Sequence, residues 1–279
     1  AWCDLVGPGR AIDTGRFFVV CPNALGSSYG STGPASLDPH TGRPYGTAFP
    51  DITIGDMVRA QKRLLDHYGV TRLAAAVGPS MGGYQAFEWG VAYPHFVERV
   101  VAAVSSPWNL PSVTTAAGLL ATLEGVPAWR SGDYVDTPGS MRPFMTTLRA
   151  ATLRRYGIES ELAQAFPDAA AREAEIRRLA TDWASVFDPT ALLALTRACE
   201  WHDVRSRLPA MRAPLLYVNS HSDAAFPPAL APRVLPVLAA AGVATHYIEL
   251  DSDKGHLASG ADAALWSADL ARFLDTPVN

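Results

Sequence analysis

The stretch Val77-Gly78-Pro79-Ser80-Met81-Gly82-Gly83 places a serine between small residues, directly after the apolar run Leu73 to Val77. This G-x-S-x-G spacing is typical of a nucleophile elbow, a tight turn from a strand into a helix that exposes the serine hydroxyl. Side chains two positions before and after such a serine would collide, so Gly78 and Gly82 satisfy a steric requirement. The same spacing also occurs by chance in loops, so its context has to support it.

The residues after the serine supply this context. Tyr84 to Tyr93 has the spacing of an amphipathic helix that ends before Pro94, which places the serine at a helix N-terminus. Unpaired N–H groups and the positive end of the helix dipole favour a developing negative charge there. We therefore expect the N–H of Met81 to donate to an oxyanion.

A serine of ordinary pKa needs a base and an orienting carboxylate, which follow such a serine in the chain order acid, then histidine. The apolar run Leu215 to Asn219 predicts a buried strand, and Asp223 lies in the loop after it. A second strand, Thr245 to Leu250, leads into a loop that carries His256. The sequence thus predicts Ser80 as the nucleophile, Asp223 as the orienting acid and His256 as the base.

Other histidines compete for the role of base. His202 precedes Asp203 on a predicted helix, and His221 lies close to Asp223, so both are kept as alternatives. Most histidines in proteins serve no catalytic role. We take the remaining four as structural: His40, His67, His95 and His246.

Two further carboxylates compete for the role of acid. Asp251 and Asp253 lie in the same loop as His256. They are too near the histidine in sequence to come from a separate strand end, so Asp223 is favoured.

The composition narrows the class of protein. A chain of 279 residues that is 48% hydrophobic and 18% charged can bury a full core. Its net charge of −4, without a cluster of basic residues, argues against nucleic-acid binding and favours an uncharged small-molecule ester as the substrate.

The spacing of the cysteines, Cys3, Cys21 and Cys199, fits neither a disulfide framework nor a zinc site, so we expect the protein in a reducing cytoplasm. No apolar run reaches the roughly 18 residues of a membrane span, and we expect no membrane partner.

Apolar runs alternate with helical patterns along the chain. Strands are predicted at Phe17–Val20, Leu73–Val77, Val100–Val104, Leu215–Val218 and Tyr247–Leu250. Helices are predicted at Met57–Tyr68, Tyr84–Tyr93, Leu230–Ala241 and Ala261–Leu274. This alternation predicts an α/β fold with a mostly parallel sheet and helices on both faces.

One long segment breaks the alternation. Between Pro107 and about Arg212 the pattern is helical and contains no strand. We predict a helical lid, residues 108–212, inserted between two parts of the core, residues 1–107 and 213–279.

The glycine- and proline-rich loop Asn23–Pro50 is expected to pack near the site, since loops of this length are usually functional or disordered.

Long motifs along the chain resemble those of homoserine O-acetyltransferases. They are Leu5–Thr14, Gly30–Pro34, Ile52–Gln61, Ser80–Gly83, Phe187–Asp188, Leu195–Ala198 and His202–Asp203. The resemblance implies an α/β-hydrolase fold with a helical lid, and it places Ser80, Asp223 and His256 on the family's triad. It also suggests a homodimer joined through lid helices. The sequence itself gives no reason to expect a metal or a bound cofactor.

Three positions depart from the family's pattern. Leu257 follows His256, where the family has an Asp that helps to hold the amino group of homoserine. Arg149 matches an arginine that binds the substrate carboxylate, but Leu148 replaces the Tyr that usually precedes it. Pro79 replaces a Gly, a change associated with family members that hydrolyse esters. An ammonium beside leucine without a counter-charge would cost several kcal/mol, so an apolar substrate is favoured.

We therefore expect a serine hydrolase that cleaves small, short-chain acyl esters through an acyl-enzyme on Ser80, with Arg149 and Leu257 in substrate binding. One alternative is an acetyl-CoA-dependent O-acetyltransferase that acts on homoserine or a related alcohol. Another is a non-catalytic scaffold that retains the fold.

The first residues of the chain carry a further expectation. It opens at Ala1-Trp2-Cys3 without a Met, at a point that the resemblance places after the first strands of the fold. The upstream region would supply the second oxyanion N–H, whose loss costs about 10² to 10³ in turnover. From these 279 residues alone we expect weak or absent catalysis.

Overall fold

A computed structural model describes residues 2–110 and 115–277. The strands in this part of the chain are β1 (Val6–Gly7), β2 (Ile12–Asp13), β3 (Ala76–Pro79), β4 (Val100–Ala103), β5 (Leu215–Ser220) and β6 (Thr245–Leu250). The helices there are α1 (Ile54–His67), α2 (Met81–Ala92), α3 (Ala116–Glu124), α4 (Arg142–Arg155), α5 (Ile158–Leu162), α6 (Ala169–Ala184), α7 (Pro189–Glu200), α8 (Ala231–Ala240), α9 (Ala258–Ala261) and α10 (Ser267–Asp275).

The main sheet contains four parallel strands in the order β3-β4-β5-β6. Ala76 pairs with Val100, and Val100 pairs in turn with Leu215. Parallel strands present their carboxyl ends at one edge of the sheet, so the segments after these four strands meet there. β1 and β2 form a separate two-stranded parallel pair.

Helices cover both faces of this sheet, as the strand pattern predicts. Alternate residues of β5 enter two different apolar clusters, because successive side chains of a strand point to opposite faces. Leu215 and Tyr217 pack with residues of α1, α2 and α8. Leu216 and Val218 pack instead with residues of α9 and α10, including the fully buried Trp266. β4 and the first four residues of β5 are therefore buried on both faces, as expected for a doubly covered parallel sheet.

Local signals explain why two helices begin earlier than predicted. α1 starts at Ile54 because the Thr53 side chain accepts the Asp56 N–H while the Asp56 carboxylate accepts the Thr53 N–H, a reciprocal capping box. α2 starts at Met81, directly after the serine, so the elbow turn itself forms the helix N-terminus. Both helices were predicted, but their starts depend on these turns.

Two predicted elements are wrong. Phe17–Val20 is not a strand: within the described residues it has no partner strand, and Phe18 is 75% exposed. β-propensity alone cannot form a strand without a ladder partner. The predicted helix Ala261–Leu274 is broken into α9, a short 3₁₀ turn and α10. The break lets Trp266 become fully buried against the sheet.

Helices α3 to α7, residues 116–200, lie between β4 and β5 in the chain, and we call them the helical insertion. They form two apolar clusters of their own. One gathers residues of α3, α4, α6 and α7 around Trp129, and the other joins Leu153, Ile158, Ile176 and Ala180. Residues 111–114 of the predicted lid lie outside the described residues, as do Ala1 and residues 278–279 of the two predicted core parts.

The long loop between Asn23 and Pro50 packs on the helical insertion. The Ser28 hydroxyl accepts a hydrogen bond of 2.9 Å from the Asp188 N–H, and the Tyr29 ring lies 5.7 Å from that of Phe187. None of the helices in the described part of the chain has the length and apolarity needed to span a bilayer.

Candidate active site

Ser80 occupies a strained turn between β3 and α2. Its φ of 54° and ψ of −122° lie in a region that non-glycine residues rarely adopt. Two neighbours hold this conformation. The Ser80 N–H donates to the Ala103 carbonyl at 2.9 Å, and the Ser105 hydroxyl donates to the Ser80 carbonyl at 2.9 Å. The end of β4 therefore fixes the turn that presents the Ser80 side chain.

Close backbone packing explains the glycines around this turn. A Cβ on Gly78 would lie 2.4 Å from the carbonyl carbon of Gly82, so Gly78 has to lack a side chain. A Cβ on Gly83 would lie 2.4 Å from the Ser105 Cβ, a requirement that the G-x-S-x-G pattern does not include. At Gly82 the nearest atom to an added Cβ is Pro79 Cδ at 3.3 Å, which is a milder restriction.

Met81 is the first residue of α2. The N–H groups of the first helical turn have no acceptor within the helix, and they lie at the positive end of its dipole. The predicted oxyanion donor is thus positioned directly beside Ser80.

Asp223 and His256 are brought together by the loops after β5 and β6. Asp223 Oδ2 lies 2.9 Å from His256 Nδ1, and both side chains are buried. The other carboxylate oxygen, Oδ1, accepts the Ala225 N–H at 2.7 Å. Ser222 joins the two loops: its hydroxyl donates to the Ser252 carbonyl at 2.5 Å and accepts the Gly255 N–H at 3.0 Å.

Two aromatic rings pack against the His256 imidazole. The Phe226 ring is stacked on it at a centroid distance of 5.6 Å, and the Tyr156 ring lies tilted at 4.6 Å. Ser80 follows β3 at the same sheet edge, but Ser80 and His256 share no hydrogen bond in this structure. Such bonds are often long in unliganded enzymes and shorten when substrate binds.

The competing histidines lie in other environments. His221 Nδ1 accepts the Ser252 N–H at 3.1 Å and lies 3.5 Å from the exposed Asp251 carboxylate, and no bond joins it to Asp223. His202 is stacked on Tyr84 at 4.2 Å, and burial lowers its pKa to about 4. The neighbouring Asp203 bonds to Arg205 rather than to His202. Neither histidine has a buried carboxylate partner like Asp223.

Arg149 lies in α4, inside the helical insertion. Burial lowers the pKa of its guanidinium, while the Tyr156 and Tyr29 phenols act in the opposite direction. Its Nε is buried without a hydrogen-bond partner, and the guanidinium lies 5.1 Å from the Trp183 ring centroid. Among the described residues it forms no ion pair. A half-buried guanidinium with an unpartnered Nε and no ion pair is suited to bind an anion.

Leu257 and Leu148 both pack into the helical insertion. Leu257 contacts the cluster that contains Leu153, Ile158 and Ile176, and Leu148 contacts the cluster around Trp129. The Leu257 side chain thus has an apolar packing role between the histidine loop and the helical insertion.

Several residues that support the site were not predicted from the sequence. Ser105 and Tyr217 form a chain behind Ser80, since the Tyr217 hydroxyl donates to the Ser105 carbonyl at 2.9 Å. Ser222 joins the loops that carry Asp223 and His256, and the Tyr156 ring packs against His256. Only Ser105 had a visible signal, a small polar residue directly after a buried strand. Within residues 2–110 and 115–277 no three His, Cys, Asp or Glu side chains are grouped to hold a metal ion.

The family comparison agrees with this geometry. A family model described as the alpha/beta hydrolase fold matches residues 2–259. A homoserine O-acetyltransferase of Moorella thermoacetica is 36% identical over 289 residues, covering 91% of this chain and 74% of the relative. One of Methanosphaerula palustris is 33% identical over 295 residues, covering 98% of this chain and 60% of the relative. The chain belongs to the α/β-hydrolase superfamily and, within it, to the family of the homoserine O-acetyltransferases.

Solved structures of two activities share the fold. The crystal structure of homoserine O-acetyltransferase from Bacillus anthracis is 27% identical, with a TM-score of 0.88 over 100% of this chain and 82% of that chain. The crystal structure of esterase E22 is 27% identical, with a TM-score of 0.84 over 98% of this chain and 82% of that chain. The fold is similar to solved structures of both activities, whereas the curated relatives favour the acetyltransferase alternative over the esterase expected from the sequence.

Proposed function

We propose that this protein transfers an acetyl group from acetyl-CoA, through an acyl-enzyme on Ser80, to the hydroxyl of homoserine or a related alcohol that carries a carboxylate. The observation that carries the proposal is Arg149, a half-buried cation that forms no ion pair within the described residues and whose Nε has no hydrogen-bond partner. The Tyr156 phenol acts against the lowering of the Arg149 pKa, and the Tyr156 ring packs against His256. An acceptor bound through its carboxylate would therefore lie near the base.

In the first half of the reaction, Ser80 Oγ attacks the acetyl carbonyl of the thioester while His256 Nε2 removes the serine proton. Asp223 stabilises the resulting imidazolium through His256 Nδ1, and the Met81 N–H donates to the oxyanion. The tetrahedral intermediate then collapses. The carbon–sulfur bond breaks, and His256 gives the proton to the departing thiolate, which leaves as the free thiol of coenzyme A.

In the second half, the acceptor hydroxyl replaces water as the nucleophile. His256 removes its proton as its oxygen attacks the acetyl-Ser80 carbonyl, and the same imidazole then protonates Ser80 Oγ as the ester forms. The Arg149 guanidinium would hold the acceptor's carboxylate. Binding of this kind converts the transfer into a step between neighbouring groups, which competes well with hydrolysis.

Hydrolysis of small acetate-type esters is the second candidate. The fold similarity to esterase E22 supports it, as does Leu257 in the position where the family has an acid. The packing of Leu257 weakens that second argument, because its side chain contacts the helical insertion. The curated relatives at 33% and 36% identity are homoserine O-acetyltransferases, and they support transfer.

A competition assay tests this order. Acetyl-CoA and homoserine would be mixed with the protein, and O-acetylated product would be measured by mass spectrometry beside hydrolysis of 4-nitrophenyl acetate. We expect transfer to be faster than hydrolysis at equal donor concentration. Faster hydrolysis with no acetylated homoserine would favour the esterase. Ser80→Ala should lower either rate by about 10⁶-fold, and an unchanged rate would favour a non-catalytic scaffold.

A further inference from the structure

The helical insertion contacts the loop that carries His256 at one corner. This corner is the junction of α4 and α5, Tyr156–Gly157. Besides its ring contact with His256 at 4.6 Å, Tyr156 accepts the Leu257 N–H at its carbonyl, at 3.3 Å. One residue therefore contacts both the imidazole and the backbone of the histidine loop.

Gly157 brings the two backbones into direct contact. Its φ is +93°, and a Cβ added to it would lie 2.5 Å from the Lys254 carbonyl oxygen and 3.2 Å from the Gly255 nitrogen. Both the positive φ and the lack of space require glycine here. Any side chain at this corner would push the histidine loop away from the insertion.

Lys254 joins the insertion to the core at the same place. Its Nζ lies 3.2 Å from a Glu161 carboxylate oxygen on α5 and 2.8 Å from Asp262 Oδ1, which follows α9. The hydrogen bond to Asp262 is the main cause that raises the pKa of Lys254, so the ammonium stays charged. Asp262 also accepts the Ser252 hydroxyl at 2.5 Å. The loop from Ser252 to His256 is thus held at Ser252 by Asp262, and at Lys254 by both Asp262 and Glu161.

Three side chains hold the His256 ring. Asp223 binds Nδ1 and Phe226 stacks on the ring from the core, while Tyr156 supplies a second ring contact from the helical insertion. Loss of the Tyr156 contact would leave the imidazole freer to tilt and change the direction of Nε2. Displacements of about 1 Å in such a group can cost about a hundredfold in rate.

We infer that Tyr156, Gly157 and Lys254 are positioning residues, through which the helical insertion sets the orientation of His256 toward Ser80. This inference rests on the proposed acyl transfer at Ser80. The corner acts on the alignment of the base rather than on the binding of substrate. Its disruption should therefore lower kcat and leave the KM for an acetyl donor without a carboxylate, 4-nitrophenyl acetate, nearly unchanged.

Two variants and their matched controls test the inference in the full chain. Gly157→Ala introduces the Cβ that meets Lys254, whereas Gly242→Ala has a comparable φ of +76° with nothing within 4 Å. Lys254→Met removes the ammonium between insertion and core, and Lys254→Arg keeps the charge. Lys62→Met removes the ammonium that pairs with Asp66 on α1.

We expect Gly157→Ala to lower kcat by about tenfold to a hundredfold, with KM changed less than about twofold. Lys254→Met should lower kcat by about threefold to tenfold, and Lys254→Arg should restore most of it. Gly242→Ala and Lys62→Met should have the kcat of the wild type. Equal kcat values in the corner variants and their controls would overturn the inference, as would a loss confined to KM. If Gly157→Ala does not fold, the comparison of kcat between Lys254→Met and Lys254→Arg tests the inference.

Amide hydrogen exchange separates this inference from the proposed function. A peptide that covers residues 252–258 should exchange at least about tenfold faster in Gly157→Ala and Lys254→Met than in their controls, since local opening sets exchange. If the wild type forms no acyl-Ser80, the proposed function fails, and the exchange rates alone decide whether the corner holds the loop. Unchanged exchange in both variants would overturn the inference regardless of activity.

Discussion

Asp223 Oδ2 lies 2.9 Å from His256 Nδ1, and the two side chains are only 0% and 6% exposed. A buried carboxylate in this position holds one imidazole tautomer, with Nδ1 protonated and Nε2 free to accept a proton. Asp223→Asn should therefore lower kcat by about 10⁴-fold, because the amide can favour the wrong tautomer. Steady-state kinetics at pH 7 would measure this effect.

Asp251→Asn is the matched control for that variant. Asp251 is in the histidine loop, but its side chain is fully exposed, and its carboxylate lies 3.5 Å from His221 Nδ1. Exposed pairs of this type contribute little, so the rate should stay within about twofold of the wild type. A larger effect at Asp251 than at Asp223 would contradict the assignment of the acid.

Gly83→Ala tests the contact behind the elbow. Its Cβ would lie 2.4 Å from the Ser105 Cβ, and overpacking of this kind costs about 1 to 3 kcal/mol in the free energy of unfolding. Urea denaturation would measure the loss. The double variant Gly83→Ala with Ser105→Gly removes the opposing Cβ, so it should recover part of the stability beyond additivity. Alanine stabilises an unobstructed helix relative to glycine. A Gly83→Ala variant that is more stable than the wild type would therefore show that the contact with Ser105 can relax.

Arg149→Met tests the anion site. A charge-assisted hydrogen bond to a carboxylate contributes about 1.5 to 3 kcal/mol, so KM for homoserine should rise on the order of tenfold to a hundredfold. Hydrolysis of 4-nitrophenyl acetate, which has no carboxylate, should change much less. Arg177→Met changes an exposed arginine on α6 and serves as the control. Equal loss with both substrates would assign Arg149 to the packing of the insertion.

His202 makes stability depend on pH. Burial lowers its pKa from 6.5 to about 4, so between these values the unfolded chain binds a proton that the folded protein excludes. Its contribution is therefore complete above about pH 6.5 and is lost as the pH falls toward 4, by about 2 kcal/mol between pH 7 and pH 5. His202→Phe should keep the stacking on Tyr84 and flatten this part of the curve. Urea unfolding at several pH values would measure both proteins. An identical slope in the two proteins would contradict the role of His202.

Elements with strong local signals were predicted well. β5 combines a continuous apolar run with a chemically distinctive loop. Helical periodicity predicted α1, but its start was predicted three residues late because the Thr53 capping box was not recognised. Phe17–Val20 had only β-propensity, which does not reveal whether a neighbouring strand is present to form a ladder. The break at Asp262 also could not be predicted, because it depends on the bonds of Asp262 to Ser252 and Lys254 and on the space available for Trp266.

The sequence by itself determined the fold class and predicted the class of chemistry. The spacing of Ser80, Asp223 and His256, each after an apolar run, predicts which side chains meet, since parallel strands bring their following loops to one edge. Only the tertiary structure decided what holds them. The Ser105 bond to Ser80, the Tyr156 contact with His256 and the Leu257 packing join segments that are far apart in the chain. No local pattern encodes such contacts, because they depend on the paths of the segments between them.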